Sequence, residues 1–463
     1  MNSLLKQGAI NKIVADLEIE QEKLQNRIVT DIYTQAEEIA KRNVTVDQEE
    51  QSWGEKFDSL LTSKYFAFPI MLLMLGVIFW ITIIGANYPS SLLAKGLFWF
   101  EGYLSALFTF LDAPHWLEGI IIKGMYRTLA WVVSVMLPPM AIFFPLFTLL
   151  ESLGLLPRIA FNLDNFFKQA GTNGKQALTM SMGFGCNAAG VIAARIIESP
   201  REKMIAILTN NFVPCNGRFP TLIILASLFM GNILGGRYNS LIAAGIVVGL
   251  VLIGIMITLL VSWLLSKTLL KGVPSSFALE LPPYRKPKIK DVLVRSFLDR
   301  TLFVLWRAVV IAAPAGIIVW LFANLSVNGL SLIQHAANLL DPFAVLIGLD
   351  GVILLAFILG LPANEIVLPI ILMSYLAAGS MLEPSSSQSL KTILVDNGWT
   401  WVTALSTMLF SLLHFPCATT LLTIKKETNS LKWSIFAALM PLMIAIIVCY
   451  GIVQTINLIN VIF

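Results

Sequence analysis

Apolar runs long enough to cross a bilayer recur along most of this chain, and two of them are interrupted by the same unusual group of residues. Gly183-Phe184-Gly185-Cys186-Asn187 is followed by Val213-Pro214-Cys215-Asn216. Gly360-Leu361-Pro362-Ala363-Asn364-Glu365 is followed by Phe415-Pro416-Cys417-Ala418. Helix breakers at membrane depth expose backbone polar groups that hydrocarbon cannot satisfy. They are tolerated where the backbone is buried in protein or lines an aqueous cavity, and in transporters such interrupted segments mark binding sites.

The balance of residue types agrees with a membrane chain. Of 463 residues, 57% are hydrophobic and 13% charged, against about 25% charged in a soluble domain. The net charge of +4 is small and spread over loops, so it gives no sign of a nucleic-acid partner. The polar start of the chain has no signal-peptide core after Lys6, so the N-terminus is expected to be cytoplasmic. The four cysteines lack CxxC spacing, and in apolar segments facing a reducing cytosol they are read as free thiols.

Five regions are expected. Residues 1–60 form a polar, helix-forming cytoplasmic segment, with Ile10, Ile13, Val14 and Leu17 at roughly helical spacing. Residues 61–126 hold a first span and interfacial helices, 127–266 a first gate repeat, 267–300 a basic linker, and 301–463 a second gate repeat. The linker carries Pro274, Pro282, Pro283 and Pro287, with eight Lys/Arg against three Asp/Glu. Candidate membrane segments are 66–87, 127–153, 178–196, 204–234, 240–266, 302–324, 351–378, 401–424 and 433–457. The punctuated stretches 91–121 and 325–347 read as amphipathic or interfacial helices.

Basic loops stay on the cytoplasmic side. The basic stretches are Arg201–Lys203, 267–300 and Lys425–Lys432, whereas 379–400 holds only Lys391. Nine alternating spans violate this pattern. Seven spans satisfy it if 178–196 and 351–378 are re-entrant hairpins, the first opening inward and the second outward. The expected fold is all-α: a polytopic membrane protein with two inverted gate repeats, re-entrant hairpins and Pro-broken helices.

The chemistry would gather at the four breaks. Gly183, Gly185 and Pro362 suit hairpin tips, and Pro214 and Pro416 each remove an amide donor and free a carbonyl about one turn earlier. Cys186, Cys215, Cys417 and Glu365 are the candidate metal ligands; Asn187, Asn216, Asn364, Thr419 and Thr420 would line the path. A mixed sulfur and oxygen set suits Fe(II), Mn(II), Zn(II) or Cu(I) better than Na⁺ or Mg²⁺. Glu365 carries most of the weight, since a carboxylate inside an apolar run is costly. Blander readings hold elsewhere. Cys449 lies in plain apolar sequence and has no assigned role. Glu151 reads equally as interfacial, Arg218 as structural, His414 equally as ligand or packed ring, and Met180 and Met182 as packing.

These motifs resemble the membrane part of the ferrous iron transport protein B family, FeoB, over about residues 50–457. Leu150-Glu151-Ser152-Leu153-Gly154 with Arg158-Ile159-Ala160-Phe161 and Asp164 is similar to one family stretch. Gly183 to Asn187 with Ala194-Arg195 resembles its first hairpin, and Pro362 to Glu365 its second. His414 to Thr420, then Thr423 to Thr428 and Lys432-Trp433, resemble its C-terminal gate. The resemblance implies Fe²⁺ as a transported substrate, not a resident cofactor, with a path past Cys186, Cys215, Cys417 and Glu365. Two departures stand out. Ala188-Ala189-Gly190 replace a usual Val-Pro, and no P-loop occurs: Gly171-Thr172-Asn173-Gly174-Lys175-Gln176 lacks the first glycine and the final hydroxyl residue. The family's GTPase is therefore expected on a separate chain, docking on residues 1–60 and the cytoplasmic loops. Membrane lipid is the other expected partner, and self-association is left open. The competing class is a gate-type carrier of another solute, a nucleoside or another divalent metal.

Overall fold

The structure, a computed structural model, describes residues 66–230, 239–272, 296–377, 379–381 and 387–462, with scattered positions outside these ranges. Most of the polar segment 1–60 and of the basic linker 267–300 lies outside the described residues; within the former, residues 31–40 are helical. Apart from a two-stranded ribbon pairing Ser326–Val327 with Leu330–Ser331, the described chain is helical. Among the described residues, six helices are long and apolar enough to cross a membrane, or seven if one bent pair counts as a span.

Helix α1 (Ala67–Phe110) and helix α2 (His115–Ser152) pack along one another and turn at 111–114. The expectation of a short first span followed by interfacial helices in 91–121 is not met. α1 runs on through Pro89 to Phe110, and its Glu101 pairs with Arg127 of α2 at 3.8 Å. At 44 residues α1 is about 66 Å long, roughly twice the hydrocarbon thickness. Part of α2, Gly119–Tyr126, is a π-helical turn, and Trp320 packs so closely on Gly119 and Gly124 that no side chain would fit at either position.

The first repeat continues through α3 (Leu155–Gln169), α4 (Lys175–Gly185), α5 (Asn187–Ala193), α6 (Pro200–Thr209), α7 (Phe219–Leu225) and α8 (Asn239–Lys267). The second follows the same path. α9 (Phe303–Asn324) answers the last part of α2, α10 (Leu332–Leu346) answers α3, and α11 (Gly351–Leu359) with α12 (Val367–Tyr375) answers α4 with α5. Then come α13 (Ser387–Asp396), α14 (Trp401–Leu413), α15 (Ala418–Thr428) and α16 (Leu431–Ile462).

The repeat is kept down to single hydrogen bonds. Asp164 Oδ1 accepts from Gly174 N at 2.7 Å, and Asp341 Oδ1 accepts from Gly351 N at 2.8 Å. Gly171 and Gly348, each just after its helix, take φ of +78° and +74°, a region that excludes most side chains. Thr172 N then donates to Phe167 O at 2.9 Å and Leu349 N to Ala344 O at 3.0 Å, closing both turns alike. An amphipathic helix thus precedes each hairpin. The stretch read as interfacial, 325–347, is the ribbon followed by this helix, which meets α11 at a bend of 110°.

Burial sorts the helices by role. Within Trp401–Thr428 the apolar window is 72% buried, against 22% in each of Ile242–Lys267 and Leu431–Ile459. The interrupted helix is central and the plain ones are peripheral, as expected if only the periphery meets lipid. The two expected Pro-broken spans, 204–234 and 401–424, are each divided, the second into α14 and α15 around Pro416. The first is divided into α6 and α7 by the stretch around Pro214, and residues 231–238 lie outside the described ones.

The crotch of the first hairpin is filled by a side chain from α6's end. A Cβ added at Gly183 or Gly190 would stand 2.7 or 2.5 Å from the Asn210 amide. Gly190→Ala is expected to destabilise the purified protein by about 1–3 kcal/mol through overpacking, read as a lowered unfolding midpoint in detergent. Adding Asn210→Ala should recover part of that loss, because the filler is then gone.

Candidate functional site

Both hairpins break in the same backbone conformation. Cys186 has φ −157° and ψ 126°, and Ala363 has φ −152° and ψ 122°. Asn187 and Asn364 therefore occupy equivalent places, one beginning α5 and the other a 3₁₀ turn (Asn364–Ile366) leading into α12. Each tip is tied to the Pro-Cys break of its own half. Asn216 N donates to Gly185 O at 3.4 Å, and Ala418 N donates to Leu361 O at 2.8 Å. In both halves the amide just after Pro-Cys satisfies a carbonyl left open at the hairpin tip.

Four further carbonyls are taken by Arg218, which is fully buried. A proline at 416 cannot donate to Leu412 O, the partner it would have in an unbroken helix. Arg218 Nη1 donates to that oxygen at 2.9 Å and to Asn211 O at 2.8 Å. Its Nη2 donates to Asn211 Oδ1 at 3.1 Å, His414 O at 3.3 Å and Phe415 O at 3.2 Å. Asn211 Nδ2 adds a bond to His414 O at 2.6 Å. A guanidinium from the first repeat thus closes the broken helix of the second, in line with the structural reading of Arg218. Its planar fork of donors matches this fan of carbonyls, which a lysine could not reproduce.

Around these breaks the predicted residues come together. Asn364 Nδ2 lies 3.9 Å from Cys215 Sγ, and Cys417 Sγ lies 3.3 Å from Thr420 Oγ1. The Glu365 carboxylate rests on Gly217, where a methyl group would overlap it, and Trp131 Nε1 donates to Glu365 O at 3.3 Å. The thiols of Cys186, Cys215 and Cys417 are within electrostatic reach of each other, and Glu365 is within reach of the last two. Cys186 and Cys215 are buried, while Cys417, Glu365 and Asn216 are half-buried. Asn364 Oδ1 is buried with no hydrogen-bond partner. Such an atom is costly in a low-dielectric setting unless a ligand serves it. Among the described residues no group of three or more His, Cys, Asp or Glu stands at metal-binding separation. The ligand types are gathered but not closed into a cage.

Other predicted residues hold the shape. Asn187 sits across the hairpin crotch, where its Nδ2 donates to Asn211 Oδ1 at 3.3 Å and the opposite amide orientation would bring the nitrogen 3.1 and 3.2 Å from the carbonyls of Gly183 and Val213. Gly185 admits the Phe143 ring, and Thr419 lends its backbone oxygen to Thr423 Oγ1 at 2.8 Å. His414 is a packed ring among Phe357, Phe410 and Phe415, with Nδ1 facing Phe410 O at 3.0 Å and Ser411 O at 2.9 Å. Cys449 Sγ donates weakly to Ser406 O at 3.6 Å, away from the breaks. Sequence reasoning missed Asn210, Asn211, Gly217 and Trp131. Two adjacent amides inside an apolar segment were a usable signal for the first pair; nothing local marked the other two.

Two substitutions separate brace from site. Gly217→Ala should displace the Glu365 carboxylate and weaken binding of a divalent metal to purified protein, with little change in unfolding midpoint. Arg218→Met should lower the midpoint strongly, on the order of 3–5 kcal/mol, because buried carbonyls lose a charged partner. A wild-type midpoint in Arg218→Met would contradict the brace.

A family model described as "Nucleoside recognition" (Gate) matches residues 133–229 and 305–431, one segment in each half of the fold. A second, "Ferrous iron transport protein B C terminus", matches 247–299. The Fe(2+) transporter FeoB of Staphylococcus aureus (strain MSSA476) is 29% identical over 409 residues, covering 87% of this chain and 59% of the relative. That of Methanocaldococcus jannaschii is 25% identical over 453 residues, covering 95% and 64%. The Fe(2+) transport protein A/Fe(2+) transporter FeoB fusion protein of Porphyromonas gingivalis is 25% identical over 443 residues, covering 86% and 51%. The chain therefore spans about half to two thirds of the length of these relatives. No solved structure matches it. The two Gate segments coincide with the two halves that carry the breaks, and the similarity to Fe(2+) transporter FeoB relatives extends across nearly the whole chain.

Proposed function

We propose that this chain forms the membrane path of a ferrous iron uptake transporter of the bacterial cytoplasmic membrane. The observation that carries the reading is the juxtaposition of Cys215, Cys417, Glu365 and the unpartnered Asn364 Oδ1 at the broken backbone of both repeats. Thiol, carboxylate and amide oxygen together suit a borderline divalent ion such as Fe(II), and an incomplete cage suits an ion that must leave again. The printed names of the relatives, Fe(2+) transporters, agree with this choice of ion. A nucleoside would need several paired hydrogen-bonding side chains around its base and ribose and would make no use of two Pro-Cys breaks.

In this reading Glu365 and Asn364, on the outward-opening hairpin, receive the ion. Cys215 and Cys417 share it at the centre. Cys186, on the inward-opening hairpin, lines its way out. Asn216, Thr419 and Thr420 line the path, and Asn187 keeps the first tip closed. The boundaries 1–60, 61–126, 127–266, 267–300 and 301–463 are carried into this proposal, with the N-terminus in the cytoplasm. A small GTPase on a separate chain acts on the cytoplasmic segment and loops. The fusion in the Porphyromonas gingivalis relative is an example of a further protein coupled to this membrane portion.

Proteoliposome uptake of Fe²⁺ tests the proposal. Cys215→Ser, Cys417→Ser and Glu365→Gln should each lower the initial rate at least about tenfold, the loss typical when the surroundings of a metal are altered. Unchanged uptake in all three variants would remove the proposed site.

A further inference from the structure

Helices α5 and α15 pack side by side, and each begins at a cysteine of the proposed site. Cys186 caps α5 and Cys417 caps α15. Both helices then run from the site toward the stretches that the basic loops place in the cytoplasm, Arg201–Lys203 and Lys425–Lys432. Where they end, they are joined. Arg195 Nε donates to Glu427 Oε2 at 2.8 Å and Arg195 Nη2 to Glu427 Oε1 at 2.6 Å, a two-pronged bridge between the first repeat and the second.

This bridge is not an ordinary surface pair. Exposed ion pairs contribute little because both partners are solvated and mobile. Here the Glu427 side chain is 6% exposed and the Arg195 side chain 60%. The carboxylate is covered by protein and the guanidinium closes over it from the solvent side, in the parallel fork geometry that makes such pairs strong. The opposite half has no counterpart. At the same steps after Ala363 and Cys215 stand Leu372 and Leu225, both buried. The helix ends of one half are thus joined by a charge pair that water or a partner could release, and the equivalent positions of the other half carry no charge.

We infer that Arg195 and Glu427 are the latch of the inner gate: with the bridge made, α5 and α15 stay together and the site is shut from the cytoplasm. This rests on the proposed path between those helices, but not on the identity of the ion. Opening inward requires the two helix ends to part, and the bridge is the polar link that crosses between them there.

The test is metal-free. A chain keeping Cys417 as its one cysteine (Cys186→Ser, Cys215→Ser, Cys449→Ser) is prepared in inside-out vesicles and labelled with a membrane-impermeant maleimide. Arg195→Ala and Glu427→Gln should each raise the Cys417 labelling rate at least about fivefold. The exchanged pair, Arg195→Glu with Glu427→Arg, should return it toward the background rate. Glu427→Asp, which keeps the charge and shortens its reach, should fall between, and it serves if a stronger variant does not fold. Unfolding midpoints in detergent identify any such variant. Folded single variants that label within twofold of background would overturn the latch, and so would an exchanged pair that labels as fast as the singles. If the latch holds while Cys215→Ser and Glu365→Gln still transport iron, the metal-site reading fails and the gate stands.

Discussion

Backbone that leaves helical geometry inside a membrane must find other partners, and that requirement organises this molecule. Four interruptions open carbonyls and amides at the centre. One is answered within each repeat, by the amide of Asn216 or Ala418 reaching a hairpin-tip carbonyl. The largest group is answered across the repeats, by Arg218 and Asn211. The same bonds that let the helices break also hold the two halves in register.

The repair is asymmetric, and so is the site. Cys186 and Ala363 share a backbone conformation but not a side chain. Asn187 bonds Asn211 with its amide at the hairpin crotch, whereas Asn364 keeps a buried oxygen without a partner. Gly217 leaves room for Glu365. The second hairpin thus offers oxygen and charge and the first offers sulfur, a division that suits an ion handed from one face to the other.

Much of this was legible in the chain. Apolar runs gave the membrane class, and Gly, Pro, Cys and Asn inside them located all four breaks, because these residues act on the backbone locally. Loop charges gave the hairpin reading. What failed was long-range. The punctuation of 91–121 made it look interfacial, yet α1 continues to Phe110 and its Glu101 pairs with Arg127 of α2 at 3.8 Å. The amphipathic helices α3 and α10 went unmatched because their sequences differ; their kinship lies in the paired Asp164 and Asp341 caps and the left-handed Gly171 and Gly348. Gly217 and Trp131 could not be found at all, since each matters only through a residue from the other half.

The central claim is that sulfur and oxygen ligands from both repeats converge on one ion. X-ray absorption at the iron edge of Fe(II)-loaded protein tests it most directly. The account predicts a mixed shell with sulfur at about 2.3 Å beside shorter oxygen or nitrogen distances, the sulfur component falling when Cys215 and Cys417 are both replaced by serine. A shell of oxygen and nitrogen alone, unchanged by those replacements, would contradict it.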